Sequence, residues 1–203
     1  MQKISIIYKN TIVYALLMRI LYGKNYLDRY ASISDEIPDN VSVLDVCCGD
    51  CMLYKKQLKG RVEYTGVDIN PMFIKNAREN NISVLQLDVF TDVFPNSDFI
   101  VMQASLYQFI PHFDQVVKKM LQKATKKVII CEPVRNLSDA NNKIVSFIAR
   151  NSANPGSGHK PQRFTEEMFR EYFTREYSGI MEKFKFIPGN RELMVVLNAG
   201  ESK

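Results

Sequence analysis

The chain has 203 residues, of which 46% are hydrophobic, and its formal net charge is +5. This length and composition allow one full hydrophobic core and require no second domain. The charge is only mildly basic and lacks the dense Lys and Arg clustering of a dedicated nucleic-acid binder, which disfavours that class.

Three of the four cysteines crowd into five residues, as Cys47, Cys48 and Cys51. A disulfide framework spreads its cysteines along the chain, so we interpret these as free thiols in a reducing, cytoplasmic compartment. Cys48 and Cys51 also form a C-x-x-C, which is a spacing for metal or redox chemistry. With only two histidines and no second C-x-x-C, a structural zinc site would lack its other half, and no metal is predicted.

Residues 1–40 are predicted to form an N-terminal helical cap. Residues 6–22 place apolar side chains at helical spacing with basic ones elsewhere, as in an amphipathic helix. This helix either packs on the domain or serves as a lid or membrane-surface helix. Its uncharged stretch, 10–18, is too short to span a bilayer, and no cleavage site follows it. A second helix is predicted over 25–37.

The segment 41–51 predicts a buried strand that enters a tight turn. Its first six residues are mostly β-branched and apolar, and an acid, small residues and Gly49 follow. The apolar and basic positions after the turn indicate a short helix. A strand, a turn and a helix in this order begin a βαβ unit, whose ligand site lies at the carboxyl end of the strand.

The rest of the chain alternates further strands with helices. Strands are predicted over 62–68, 83–87, 99–102 and 127–131. Helices are predicted to begin at Asn70-Pro71, Pro111, Ser138 and Thr165. A loop is predicted over 151–163, and a hairpin is predicted to join a strand over 180–186 to a strand over 193–197. The first five strands should be parallel with right-handed crossovers, and the hairpin should insert one antiparallel strand at an edge. The sequence therefore predicts an α/β fold with a mostly parallel seven-stranded sheet and a C-terminal antiparallel hairpin.

Acids follow the ends of three of the first four strands, at Asp45, Asp68 and Asp88. Parallel strands end at one rim, so we expect these carboxylates to converge on one crevice. An acid after the second strand suits a ribose diol, which belongs either to a dinucleotide or to a nucleoside with a cationic tail. The dinucleotide turn needs three glycines, but only Gly49 is present, whereas Asp45 and Asp50 suit an ammonium or sulfonium group.

The run Asp45-Val46-Cys47-Cys48-Gly49-Asp50-Cys51 resembles the first motif of the class I S-adenosylmethionine-dependent methyltransferases. The resemblance extends over about residues 41–135 and more loosely to the hairpin. It implies a three-layer Rossmann-like sandwich, S-adenosylmethionine as cofactor, and a domain over 41–203. The family usually has glycines where Cys47 and Cys51 stand. Cys47 is small enough to fit, and whether Cys51 crowds the methionine moiety or weakens binding is left open.

The same resemblance implies roles for individual residues at the strand ends. The cofactor-binding set that it implies is Asp45, Cys47, Cys48 and Gly49 at the turn by the methionine amino group, Asp68 on the ribose hydroxyls, Ile69, Asp88 and Val89 around the adenine, and Gln103 beside the methionine portion.

Catalytic residues are expected on loops above the strand ends, because the cofactor carries the reactivity and the protein mainly aligns the acceptor. Tyr107 is a candidate for placing the acceptor, and Glu132 for holding its amine or hydroxyl. His159, in a Gly- and Pro-rich substrate loop around 134–165, is the first choice for a base. Arg135 either binds an anionic acceptor group or forms a loop salt bridge, and His112 is expected to be structural.

The predicted acceptor is a small molecule, and the apolar N-terminal helices extend this to a lipid-like compound. Enzymes of this family that act on nucleic-acid amino groups often carry an acid or Asn followed by Pro-Pro-aromatic after the fourth strand. This chain has Gln103-Ala104-Ser105-Leu106-Tyr107 there, which argues against that class. The alternative to a methyltransferase is a non-catalytic partner protein with this fold. An NAD-linked oxidoreductase is disfavoured, because the turn lacks two of the three glycines. The oligomeric state is left open.

Overall fold

A computed structural model describes residue 19, residues 23–135 and residues 163–200. In these ranges seven strands form one sheet, in the order β3-β2-β1-β4-β5-β7-β6. The strands are β1 (Ser42–Val46), β2 (Glu63–Asp68), β3 (Val84–Gln86), β4 (Ser97–Gln103), β5 (Ala124–Pro133), β6 (Met181–Phe186) and β7 (Glu192–Asn198). The first five pair in parallel, and β7 is antiparallel to both β5 and β6. The predicted mostly parallel sheet with an antiparallel C-terminal pair is confirmed.

Four α-helices lie in the described part of the chain. They are α1 (Asp28–Ser34), α2 (Pro71–Glu79), α3 (Phe113–Lys123) and α4 (Glu166–Tyr177); 3-10 turns cover Gly23–Asn25 and Leu106–Phe109, and a π-helical turn covers Tyr54–Leu58. The side chains of Asn70 and Thr165 accept hydrogen bonds from backbone N–H groups in the first turns of α2 and α4. Both helices therefore begin where the sequence predicts, because their N-cap residues satisfy amides that the helix leaves open.

Alternate residues of the central strands face opposite sides of the sheet, so an apolar core forms on each side. Leu44, Ile100 and Ile130 belong to one core, to which α3 and α4 contribute. Neighbouring residues such as Val43 and Val101 belong to the other core, to which α1 and α2 contribute. The strand ends consequently lie between two layers of packed side chains.

The C-terminal hairpin differs from its predicted position. The antiparallel strand β7 lies inside the sheet, between β5 and β6, and β6 forms the edge. Burial explains the order, since residues 192–197 are all buried whereas β6 exposes Glu182, Lys183 and Lys185. Charged side chains on an edge strand also oppose pairing with another chain.

Several element boundaries also differ from the predictions. The helix predicted over 25–37 is shortened to α1, and Leu27 before it is 43% exposed. The helix expected from Pro111 begins at Phe113, and β5 is longer than predicted. The helix predicted over 6–22, apart from residue 19, the helix predicted from Ser138, and nearly all of the loop over 151–163 lie outside the described residues. No helix among the described residues is long and apolar enough to cross a membrane.

Gly66 of β2 lies opposite Asp45 of β1, at a crowded point of the sheet. A Cβ at Gly66 would lie 2.8 Å from the Cys48 Sγ, 3.0 Å from the Tyr64 Oη and 3.1 Å from the Val84 Cγ1. Because the Tyr64 hydroxyl donates a 2.8 Å hydrogen bond to the Asp45 carboxylate, a larger residue would disturb that bond as well. The position therefore needs glycine for close packing.

We expect Gly66→Ala to lower the free energy of unfolding by about 1–3 kcal/mol, since an overpacked core must shift to admit the methyl group. Urea denaturation measures this change. Gly179→Ala is the matched control, because a Cβ there would meet nothing within 4 Å. Equal effects of the two substitutions would show that crowding at Gly66 is not the cause.

Candidate functional site

The turn after β1 has a left-handed backbone at three alternate residues. The φ angles are 59° at Cys47, 53° at Gly49 and 56° at Cys51. A residue with a side chain is disfavoured in this region by about 1–2 kcal/mol, so the turn keeps a backbone suited to glycine although cysteines occupy two of the positions. A Cβ on Gly49 would meet nothing within 4 Å, so the space beside this glycine is open.

Asp68, at the end of β2, fixes the turn. Its Oδ2 accepts a 2.9 Å hydrogen bond from the Gly49 N–H, and its Oδ1 accepts a 2.8 Å bond from the Asn70 N–H. Burial raises the pKa of Asp68, and these backbone N–H groups oppose the rise. A carboxylate accepts about four hydrogen bonds, so Asp68 keeps acceptor capacity for a ligand at the open edge.

Carboxyl groups from four strand ends act on one thiol, that of the half-buried residue Cys47. Burial raises the pKa of this thiol well above its usual value, and the carboxyl groups of Asp68, Asp45, Glu132 and Asp88 raise it further. These groups come from the ends of β1, β2, β3 and β5, which are parallel strands of one sheet. The three predicted strand-end acids therefore share the carboxyl edge of the sheet with Glu132.

The two acids expected to suit a cation occupy different environments. Asp45 is buried beneath the turn and accepts the Tyr64 hydrogen bond, and burial raises its pKa to about 7. Asp50 is half-buried in the turn itself, and burial raises its pKa to about 6, against the lowering effect of Lys55. Asp50 is therefore the acid of the pair that reaches the surface.

Exposed apolar side chains flank the ends of β2 and β3. Ile69 is 61% exposed and Phe90 is 46% exposed, whereas Val89 is buried in the core. The Asp88 Oδ1 accepts a 2.8 Å hydrogen bond from the Phe90 N–H, which fixes the short turn after β3. The sequence-based prediction named Val89 and not Phe90, whose exposure could not be read from the sequence because the direction of each side chain depends on this turn.

A buried ion pair lies beside Gln103 at the end of β4. The Arg29 guanidinium of α1 contacts the Glu192 carboxylate of β7 at 2.6 Å, and both side chains are almost fully buried. The same carboxylate accepts hydrogen bonds from the Gln103 amide at 3.3 Å and from the Cys131 thiol at 3.4 Å. Sequence reasoning missed this pair, although Arg29 stands at helical spacing with Tyr26 and Ile33 on the apolar face of its helix.

Two of the predicted catalytic residues meet on the other side of the site. Glu132 is fully buried, and its oxygens accept hydrogen bonds from the N–H groups of Leu106 at 2.9 Å and Tyr107 at 3.3 Å. Burial raises the pKa of Glu132 to about 8. The Tyr107 ring is buried, and the Arg163 guanidinium lies 4.0 Å from its centroid. Glu132 therefore holds the 3-10 turn that presents Tyr107.

The remaining candidates from the sequence are Arg135, His112 and His159. The Arg135 guanidinium forms a loop ion pair with Glu166 at 3.0 Å, and His112 is an exposed residue at the start of α3. His159 lies outside the described residues.

The cysteines of the C-x-x-C are both buried. The thiols of Cys48 and Cys51 lie 3.7 Å apart in the apolar core on the α1 and α2 side of the sheet. Cys51 is 0% exposed, so its side chain faces this core rather than a ligand at the turn. Within the described ranges, no cluster of three or more His, Cys, Asp or Glu residues is arranged to hold a metal ion.

Comparison with protein families identifies a domain in this part of the chain. Residues 43–129 match the model of a family described as a methyltransferase domain. No curated protein sequence matches the chain significantly.

Solved structures share the fold. An O-methyltransferase family 2 protein from Planctomyces limnophilus, in complex with apigenin, has a TM-score of 0.64 and 15% identity over 94% of this chain and 62% of its own. Magnesium protoporphyrin IX methyltransferase from Synechocystis with bound SAH has a TM-score of 0.64 and 12% identity over 94% of this chain and 96% of its own. Human N-acetylserotonin methyltransferase in complex with SAM has a TM-score of 0.62 and 15% identity over 95% of this chain and 57% of its own. This chain therefore spans less than two thirds of the first and third structures.

We expect Arg29→Met to lower the free energy of unfolding by about 3–5 kcal/mol, because Glu192 would remain buried without its partner. Removing both charges with Arg29→Met/Glu192→Met should recover most of this loss. Chemical denaturation measures both variants, and Arg78→Met, at an exposed position of α2, should change stability by less than about 0.5 kcal/mol. A double variant as unstable as the single one would contradict a role in charge pairing.

Asp45→Asn should make stability less dependent on pH. The pKa of Asp45 is about 7 in the folded protein, against about 3.9 for an ordinary aspartate. Between these values the native state holds a proton that the unfolded chain has released, so the free energy of unfolding falls as pH rises from about 4 to about 7. Asparagine lacks this titration and still accepts the hydrogen bond from Tyr64.

Urea denaturation at several pH values across this window measures the slope of stability against pH. The exposed Asp35 supplies the control, and Asp35→Asn should keep the wild-type slope. An unchanged slope in Asp45→Asn would show that this carboxyl does not titrate in the folded protein as we expect.

Proposed function

We propose, from the match of residues 43–129 to the methyltransferase-domain family model, that the protein is a class I S-adenosylmethionine-dependent methyltransferase acting on a small-molecule acceptor. The observation that carries the proposal is the turn after β1. It has three left-handed residues, and the hydrogen bond from the Gly49 N–H to Asp68 fixes it against β2.

The residues at the strand ends fit the proposed cofactor. Asp68 would accept hydrogen bonds from the ribose hydroxyls with the lone pairs that its backbone partners leave free. Ile69 is exposed at the adjoining position, where an adenine ring would cover it, and Asp88 with Val89 forms the neighbouring turn that presents Phe90. Exposed apolar side chains at the ends of two adjacent strands suit an aromatic base.

The remaining cofactor residues would form the methionine end of the site. We assign Asp45, Cys47, Cys48 and Gly49 to the turn itself, with Asp50 as the acid nearest the cationic amino group and Gln103 beside the methionine portion. The buried thiols of Cys48 and Cys51 leave the open side of the turn clear. This placement supports cofactor binding over the alternative of a non-catalytic partner protein.

S-adenosylmethionine would supply a methyl group on a positively charged sulfur. An acceptor that carries a proton would have to pass it to a base on this chain. The protein's contribution is alignment and exclusion of water, for which the effective concentration of a well-placed acceptor is the main factor. Tyr107 would place the acceptor, because its ring lies on the 3-10 turn at the end of β4.

Glu132 is better assigned to positioning than to direct contact with the acceptor. Both of its oxygens accept backbone hydrogen bonds from the 3-10 turn that carries Tyr107. His159 stays the proposed base, on the substrate loop around 134–165. An acceptor that is already deprotonated would need no base, since the sulfonium alone supplies the driving force.

The proposal also includes the arrangement of the whole chain. Residues 1–40 would form a helical cap, and residues 41–203 would form the methyltransferase domain. Helices contribute to apolar cores on both faces of the described sheet, which supports a three-layer sandwich. The four cysteines are free, in keeping with a reducing, cytoplasmic location.

Calorimetric titration with S-adenosylhomocysteine, the product form of the cofactor, tests the proposal. We expect micromolar affinity, about −8 kcal/mol, and loss of binding in Asp68→Ala, which lacks the acceptor for the ribose and for the Gly49 N–H. Glu79→Ala, at the exposed far end of α2, should bind as the wild type does. Absence of binding in all three proteins would favour the partner-protein alternative, and preferential binding of NAD would favour an oxidoreductase.

A further inference from the structure

Arg163 lies beside the proposed acceptor position, on the described side of the substrate loop. Its guanidinium lies 4.0 Å from the centroid of the Tyr107 ring, and the side chain is half-buried. In residues 23–135 and 163–200 the guanidinium has this ring contact and no hydrogen-bond or ion-pair partner. An arginine has five N–H donors, and stacking on an aromatic ring leaves the edge of the guanidinium plane open for an anion.

The charge of Arg163 acts on the Glu132 carboxyl, but the two residues do not form an ion pair. Both carboxyl oxygens of Glu132 already accept the N–H groups of Leu106 and Tyr107. Burial raises the pKa of Glu132 to about 8, and the positive charge of Arg163 opposes this rise. Within the described ranges the Arg163 guanidinium therefore has the Tyr107 ring as its contact and no ion-pair partner, which leaves its charge for an anionic ligand to balance.

The neighbouring arginine differs in this respect. The Arg135 guanidinium donates hydrogen bonds to the Glu166 carboxylate at 3.0 Å and to the Asn190 carbonyl at 3.3 Å, and it lies over the Phe186 ring. Arg135 is thus engaged within the fold. The role of anion binding, which the sequence suggested for Arg135, passes to Arg163.

Arg163 lies at the same edge of the sheet as the turn after β1. Tyr107 stands on the 3-10 turn that follows β4, and β4 is the parallel neighbour of β1. The Tyr107 ring and the turn after β1 therefore lie at the same edge of the sheet. Arg163, which lies over the Tyr107 ring, is thus at the edge that carries the site proposed for the methyl donor.

We propose that Arg163 binds a carboxylate on the acceptor, so that the substrates of this protein are small carboxylic acids methylated at another atom of the molecule or at the carboxylate itself. A planar carboxylate matches the fork of the guanidinium and forms two parallel charge-assisted hydrogen bonds. Tyr107 holds the plane of the guanidinium in place. This inference rests on the proposed function for the identity of the bound molecule as an acceptor.

The test uses the full chain and benzoate as the probe. Arginine Nε–Hε signals are followed by NMR with and without S-adenosylhomocysteine, and the Arg163 signal is assigned by its loss in Arg163→Lys. Benzoate should shift this signal in a saturable manner, whereas neutral benzamide should leave it in place. A shift with both compounds, or a stronger response to inorganic phosphate than to benzoate, would overturn the proposal.

Variants add a second readout. Arg163→Gln should weaken benzoate binding by about tenfold or more, as expected for the loss of a charge-assisted pair, and Arg163→Lys should have an intermediate effect because it keeps the charge but not the fork. Arg170→Gln is the control, since this exposed arginine of α4 pairs with Glu166. Undiminished benzoate binding in Arg163→Gln would overturn the assignment. The titration of the wild type stands as the test if that variant does not fold.

The two proposals fail separately. Binding of S-adenosylhomocysteine without any shift of the Arg163 signal by benzoate would overturn the carboxylate site and leave the methyltransferase proposal intact. A benzoate response at Arg163 in a protein that does not bind S-adenosylhomocysteine would overturn the proposed function, while the carboxylate site itself would stand.

Discussion

The site depends on the left-handed backbone of the turn after β1. Three alternate residues, two of them cysteines, adopt a conformation that favours glycine. The Gly49 N–H is held by Asp68, and the Cys48 N–H donates to the Val67 carbonyl at 3.0 Å. These bonds to β2 offset the strain, because the surrounding sheet fixes both ends of the turn. The side chains of Cys48 and Cys51 are thereby directed into the core, and the space beside Gly49 stays open.

Buried polar groups support this turn and set the character of the site. Asp45 and Glu132 are carboxyl groups removed from water, and each is satisfied by a hydrogen bond from a neighbouring element. Burial therefore raises both pKa values, to about 7 and about 8. Burying a carboxyl group without a hydrogen-bond partner costs free energy of folding. Both groups therefore require the strand register and the packing around them to be fixed. The Arg29–Glu192 pair acts in the same way between α1 and β7.

The carboxyl edge of the sheet divides into two parts with different chemistry. Asp68, Ile69 and Phe90 supply acceptor oxygens and apolar surface at the ends of β2 and β3, which fits a nucleoside. Tyr107, after β4, supplies an aromatic ring, and Arg163 supplies a positive charge over that ring, which is the basis of the acidic acceptor that we propose. Cys47 follows β1, between these two parts of the edge. Under this proposal the specificity would come from side chains beyond the turn, since a fold alone does not fix a substrate.

The sequence by itself determined the sheet of seven strands, the caps at Asn70 and Thr165, and the acids that follow the strands, because hydrophobic periodicity and capping are local properties. Only the tertiary structure decided that β7 lies inside the sheet, that Phe90 rather than Val89 is exposed, and that Cys51 faces the core. It also decided the pairing of Arg29 with Glu192 and of Arg163 with Tyr107. These contacts join residues that are far apart in the chain, and burial and charge select them only when distant elements pack together.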